Sequence, residues 1–180
     1  MNRRGFISVL AGGVAFSSGC LVKQQQEQDI EIHSLGESVT ADGLKITPIE
    51  YDIIGRKFAE KSGISNESGH EAFLLVMIEL ECVGDEPVSP PDQGPRGKGD
   101  VHLIYKGKQM YGEFKGQDLT IDNFTYKELG DTGGKKIKPG EKIQRWAMFE
   151  IPKGFDRTKT FLKIELRNNG KLKSYNWKMG

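Results

Sequence analysis

From Glu37 to the C-terminus, apolar and polar residues alternate in short runs bounded by turn residues. That period of two is the signature of half-buried strands. After the turn pair Asp42-Gly43, Leu44 and Ile46 point one way and Lys45 and Thr47 the other. At Pro48 the phase slips by one, and Ile49, Tyr51 and Ile53 become the apolar set. Such a slip turns every later side chain to the opposite face unless a bulge absorbs it, and proline is tolerated at an edge or a bulge. The spacing predicts an edge strand over 43–54, bulged near Pro48. Ala72 to Val83 is the most apolar run. Leu74, Val76, Ile78, Leu80 and Cys82 share one face; Phe73, Leu75 and Met77 line the other until Glu79 and Glu81 replace them. This predicts a central strand that emerges into solvent at its end.

Val101–Tyr105 and Gln109–Phe114 flank Lys106-Gly107-Lys108, a predicted hairpin. Residues 117–128 hold one weak strand at most. In Lys142–Ile151, Ile143, Ala147, Phe149 and Ile151 face one way and Trp146 and Met148 the other. Lys159–Arg167 alternates cleanly, with Thr160, Leu162, Ile164 and Leu166 on one side. Asn168-Asn169-Gly170 then turns the chain into a last strand, 171–178, carrying Leu172, Tyr175 and Trp177. Residues 55–71 and the Pro/Gly-rich 84–100 read as loops. Seven or eight strands, irregular loops and no helix predict an antiparallel β-sandwich, with a small barrel as the alternative.

The N-terminus follows different rules. Arg3 and Arg4 precede an apolar stretch of 11 residues, Phe6 to Phe16, too short to span a bilayer. Ser17-Ser18-Gly19 then stand directly before Cys20, as in a lipobox, where cleavage precedes a cysteine whose thiol takes a lipid. The paired arginines with Gly5, Phe6 and Ile7 resemble a twin-arginine export signal, although Ser8 stands where such signals usually carry Lys. A disposable secretion peptide or a membrane-contacting helix is the alternative, and the general secretory route the alternative path. The expected organisation is a signal peptide over 1–19, lipidated Cys20 with a polar tether over 20–36, and a sandwich over 37–180. One acyl chain binds membranes only marginally, so stable anchoring requires several chains on Cys20.

Charge sharpens this division. The 180 residues carry 26 Lys+Arg and 25 Asp+Glu, a net charge of +1, which excludes a strongly basic nucleic-acid binder. The near-neutral sum hides an asymmetry. Residues 20–100 hold 7 basic and 16 acidic side chains, while residues 131–180 hold 13 and 5. Pairing between early and late strands accounts for this most simply. A bipolar surface with a basic face toward anionic headgroups or an acidic partner is the other reading.

Chemistry-bearing motifs are sparse. His33, His70 and His102 lie at no metal-ligand spacing and read as isolated surface or loop histidines. Cys82 falls on the inward face of its strand, where a free thiol behaves as a small hydrophobe. Gly63-Ile64-Ser65-Asn66-Glu67 lacks the last glycine of a nucleophile elbow, and Gly133-Gly134-Lys135-Lys136 lacks the first glycine and the hydroxyl of a phosphate loop. No cofactor or metal is predicted. Asn66-Glu67-Ser68 and Asn123-Phe124-Thr125 fit the glycosylation pattern, which makes Asn66 and Asn123 candidate acceptors in a host that glycosylates exported proteins. Tyr105, Tyr111, Phe124 and Tyr126, beside Lys106, Lys108 and Lys115, read as half-buried strand residues before a binding surface.

Several stretches carry a resemblance: Val39–Thr47, Phe73–Leu80 with Gly84-Asp85-Glu86-Pro87-Val88, Lys138-Pro139-Gly140-Glu141, and Phe149-Glu150-Ile151-Pro152-Lys153. Together they resemble the immunoglobulin-like domain of unknown function number 4352, found in exported prokaryotic lipoproteins and similar to telokin-like secreted mycobacterial antigens. The sequence departs from that pattern at Cys82, where Asn is common, and in a longer Pro-rich stretch after Val88. The resemblance implies an immunoglobulin-like sandwich, an exported lipoprotein and no known catalytic residues. The expected function is a non-catalytic binding or interaction module on the extracytoplasmic face of the cell membrane. Its expected partners are membrane lipid and an unidentified protein or surface ligand. An accessory subunit of an envelope complex or transporter, or an envelope hydrolase, are the alternatives.

Overall fold

The computed structural model describes residues 31–55, 72–93, 99–110, 119–121, 124–129 and 135–180, with backbone only at 119–121 and 124–126. Arg3, Arg4, Cys20, Asn66, His70, Tyr111, Lys115 and Asn123 lie outside them. The described strands are β1 (Ile32–Ser34), β2 (Val39–Ala41), β3 (Leu44–Gly55), β4 (Ala72–Cys82), β5 (Val101–Tyr105), β6 (Lys108–Met110), β7 (Leu119–Ile121), β8 (Phe124–Tyr126), β9 (Lys142–Ile151), β10 (Thr160–Asn168) and β11 (Lys171–Lys178). Among the described residues the only helical piece is a 3-10 turn at Arg157–Lys159.

Two sheets face each other across one core. The five-stranded sheet runs β1-β11-β10-β5-β6 and the four-stranded sheet β2-β3-β4-β9, with β7-β8 a separate ribbon. The chain leaves the four-stranded sheet after β4, returns at β9 and crosses again to β10. Those crossings make a two-layer β-sandwich, as the alternation predicts.

β4 is central, paired with β3 on one side and β9 on the other. Its predicted faces separate as expected. Leu74, Val76, Ile78, Leu80 and Cys82 enter the inter-sheet core with Phe149, Leu162, Ile164 and Trp177. Phe73 and Leu75 form a second buried cluster with Ile54, Trp146 and Met148 on the sheet's outer side. Each fully buried aliphatic or aromatic side chain contributes about 1.5–3 kcal/mol of transfer free energy, so among the described strands β4 is a dense source of stability.

The register between β3 and β4 shifts between Pro48 and Glu50, the bulge predicted from the phase slip. β3 is an edge strand only in its second half, because β2 pairs with Leu44–Ile46. The two-residue turns Asp42-Gly43, Lys106-Gly107 and Asn169-Gly170 have positive φ at both positions. That is the geometry whose twist matches flanking antiparallel strands.

Four expectations need correction. Eleven strands are described where seven or eight are expected. Residues 117–128 contain two strands, and Lys127–Leu129 then runs parallel beside Trp146 of β9. The first strand falls inside the stretch read as tether: Ile32–Ser34 pairs parallel with Asn176–Lys178, so the ordered sheet starts before residue 37 and is not wholly antiparallel. Three residues are too few to show a period, and their partner lies more than 140 positions downstream. The hairpin's second strand starts at Lys108, not Gln109.

Early acids do meet late bases across strands. Lys142 of β9 lies 2.8 Å from Glu79 and 3.7 Å from Glu81 of β4, and Glu81 also meets Lys45 of β3 at 3.4 Å.

Candidate functional site

The outer face of the five-stranded sheet carries a polar network built by register. β10 places Lys163 opposite His102 of β5 and Asn176 of β11, and Glu165 opposite Ser174. Period-two alternation therefore puts His102, Lys163, Glu165 and Ser174 on one surface. The Lys163 ammonium lies 2.6 Å from Glu165 Oε1, Ser174 Oγ donates to the same oxygen at 3.3 Å, and His102 Nε2 lies 3.6 Å from Glu165 Oε2. Gln109 of β6 closes the far end, its amide nitrogen 2.9 Å from His102 Nδ1.

The Gln109 amide thus faces His102 Nδ1, and the Glu165 carboxylate faces Nε2. Lys163, through its hydrogen bond, holds the Glu165 carboxyl below its ordinary value against the opposing effect of partial burial. His102 is buried, with 5% exposure; Nδ1 is hydrogen-bonded to Gln109, and Nε2 faces the Glu165 carboxylate at 3.6 Å. Ser174 donates to the carboxylate rather than to the imidazole, so the order needed to activate a hydroxyl nucleophile is not met. The arrangement fixes charges across three strands. Exposed Leu172 and Ile32 lie on the same outer face, at 57% and 58% exposure.

His33 is half-buried beside the last strand, and its Nε2 is buried without a hydrogen-bond partner. Its ring packs on Trp177 at 5.4 Å between centroids, with Nδ1 3.9 Å from Glu37 and Nε2 3.8 Å from Glu31. Trp177 Nε1 donates to the Glu37 carbonyl at 2.8 Å, tying the turn after the first strand to the last strand. The expectation of isolated histidines is thus corrected for His33 and His102. The carboxylate that meets His102 lies 63 positions away in sequence, beyond any local spacing.

Cys82 behaves as read: it is buried in the core, and its thiol donates to the Glu86 carbonyl at 3.2 Å. Beside it the Asp42-Gly43 turn and the Gly84–Val88 loop border an open pocket of about 450 Å³. Its acids are Asp42, Asp85 and Glu86, and Asp42 Oδ1 accepts from the Asn169 backbone at 2.8 Å. Among the described residues, no three His, Cys, Asp or Glu side chains converge as a metal site.

Of the predicted aromatic–lysine group, the structure shows Tyr105 packed on Phe155 at 5.1 Å, with the Lys106 ammonium 5.0 Å from its ring centroid. Nearby Arg157 lies over the Tyr51 ring and donates to its hydroxyl. Sequence reasoning did not find this pair, since Tyr51 and Arg157 are 106 positions apart.

No family model matches the chain, and no curated protein matches it significantly. Among solved structures it is similar to the yjhA protein from Bacillus subtilis, with TM-score 0.56 and 14% identity over 82% of this chain and 99% of that one. An uncharacterized beta-sandwich protein from Clostridium difficile 630 aligns with TM-score 0.49 and 12% identity over 87% of this chain and 99% of that one. At such identities likeness speaks to fold alone.

Proposed function

We propose that this chain is a lipoprotein held on the extracytoplasmic face of the cell membrane by lipid on Cys20, and that its sandwich is a non-catalytic module for binding another molecule. The observation that carries the reading is a run in register: Arg3-Arg4, the apolar stretch Phe6–Phe16, then Ser17-Ser18-Gly19 directly before Cys20. Any one of these is common by chance; their order and spacing together are not. The likeness of Val39–Thr47, Phe73–Leu80 and Lys138-Pro139-Gly140-Glu141 to an immunoglobulin-like domain of exported lipoproteins, number 4352, supports the same reading.

Replacing Cys20 with Ser is expected to move the protein from the detergent phase to the aqueous phase, and mass spectrometry of the native protein is expected to find acyl chains on residue 20. Unchanged partitioning of the Cys20→Ser chain would sink the anchor. Cross-linking on the native membrane then names the bound partner.

A further inference from the structure

β1 is a three-residue strand at the edge of the five-stranded sheet, and His33 is its middle residue. The register sets His33 beside Trp177, so both side chains leave the sheet on its inward face. Trp177 is fully buried in the inter-sheet core. The imidazole lies on it at 5.4 Å between centroids and keeps only 13% of its side chain exposed. Two carboxylates bracket the ring, Glu31 Oε1 at 3.8 Å from Nε2 and Glu37 Oε2 at 3.9 Å from Nδ1. A neutral imidazole has one proton for its two nitrogens. Whichever tautomer forms, the other nitrogen turns a lone pair toward a carboxylate. Nε2 is buried and has no hydrogen-bond partner. The imidazolium alone presents an N–H to each acid.

The same stretch clasps the first strand to the last. Trp177 Nε1 donates to the Glu37 carbonyl, the Ser34 N–H donates to the Glu37 carboxylate at 2.8 Å, and the Gly36 N–H donates to the Pro48 carbonyl of β3 at 2.7 Å. The neighbouring charges point elsewhere. Lys178 follows Trp177 and so leaves the outer face of the sheet by strand parity. Glu50 of β3 stands across from Met77, on the outer side of the four-stranded sheet. A charge on the ring therefore acts on Glu31 and Glu37. Part of its hydration is lost against the indole, which works against the charge. The indole face and the two acids work for it. Both acids are more than half exposed, so solvent screens each pair and the net hold is modest.

We propose that His33 is a pH-responsive latch: its imidazolium, set between Glu31 and Glu37 on Trp177, clasps β1 to β11, and loss of the proton loosens that strand. The added hold is present at low pH and is lost as pH rises through the histidine range, about 5–8. The latch does not depend on how the chain is anchored. On the lipid-anchor reading it gains a consequence. Each release of residues 32–37 adds six residues, roughly 20 Å when extended, to the tether from Cys20. The pH then sets how often the sandwich reaches farther from the bilayer.

The test follows hydrogen exchange of the Trp177 indole N–H by NMR in the full chain, labelled with isotopic tryptophan. That proton is held by the Glu37 carbonyl and exchanges when the clasp opens. The chain has two tryptophans, and a Trp146→Phe chain assigns the signals. Protection, corrected for the pH dependence of free indole exchange, is expected to be about threefold higher or more at about pH 5.5 than at about pH 8. In His33→Gln, neutral at both values, the two protections are expected to be equal. Glu31→Gln removes one acid at an exposed position and is expected to shrink the difference. Equal protection of the unsubstituted chain at the two pH values, or lower protection in acid, would overturn the latch. A difference that persists in His33→Gln overturns it too, and assigns the effect to another group such as His102. The readout needs no lipid on Cys20, so a lost anchor leaves the latch result standing, and a failed latch leaves the anchor reading standing.

Discussion

Gln93 belongs to no strand, yet its side chain completes one. Its carboxamide oxygen accepts from the Met148 backbone N–H at 3.2 Å, and its amide donates to the Met148 carbonyl, on the free side of β9. Both backbone groups are buried, and burial without a partner costs about 1–3 kcal/mol each. Gln93→Ala is therefore expected to destabilise the fold by about 2–4 kcal/mol, read as a lower urea midpoint. Gly84 shows the opposite constraint, a lack of room. A methyl group there would stand 3.1 Å from the Gly43 Cα, backbone against backbone. Gly84→Ala is expected to cost about 1–3 kcal/mol through displacement of the Asp42-Gly43 turn, measured by thermal melting. Neither role shows in the local sequence. Gln93 reads as one more residue of a Pro/Gly-rich loop, because its partner stands 55 positions away. Cys82 was legible by contrast, since strand parity alone decides which way a side chain points.

Elements follow the same division. β10 announces itself by nine alternating residues and β4 by a long run apolar on both faces, and the Pro48 bulge shows as a break in the period of β3. β1, β2, β7 and β8 are three residues each, too short to display a period, and exist because a neighbour offers unpaired backbone groups. Turns are the more legible links. Asn169-Gly170 and Asp42-Gly43 use residues that tolerate left-handed backbone, whereas Lys106 adopts φ +49° without that tolerance. Lys106→Asn is expected to stabilise the β5–β6 hairpin by about 0.5 kcal/mol, after allowing for the cation–π attraction to Tyr105 that the substitution removes. An unchanged or lower melting temperature would mean that this attraction outweighs the turn.

Across the whole molecule, paired charges set the pH range of stability. Lys142, chiefly by its hydrogen bond, lowers Glu79, and Lys163 likewise lowers Glu165. A carboxylate lowered by folding contributes stability above its unfolded value, about 4.3, and loses that contribution as pH falls through the folded value. Lys142 is raised, mainly by its hydrogen bond to Glu79. Its contribution is full below the unfolded value, about 10.4, and disappears as pH rises through the folded one. Melting temperature is thus expected to hold between these limits and fall at both ends. Lys142→Met is expected to flatten the alkaline limb and part of the acid limb, because the Glu79–Lys142 pair contributes to both, whereas Glu165→Gln reduces the acid limb alone, to which Asp156 also contributes. An alkaline limb unchanged by Lys142→Met would refute the assignment.

Sequence alone determined the sandwich, its central strand, the inward thiol and the hairpin turns, because strand parity and turn chemistry are local properties of the backbone. It also carries the whole case for the Cys20 anchor, since such signals are read as linear strings. Tertiary pairing decided that Ile32–Ser34 joins the last strand in parallel, that Gln93 closes an edge, and that His102 meets Glu165. These depend on interactions between positions tens of residues apart, whose free energy appears only once the loops between them have closed.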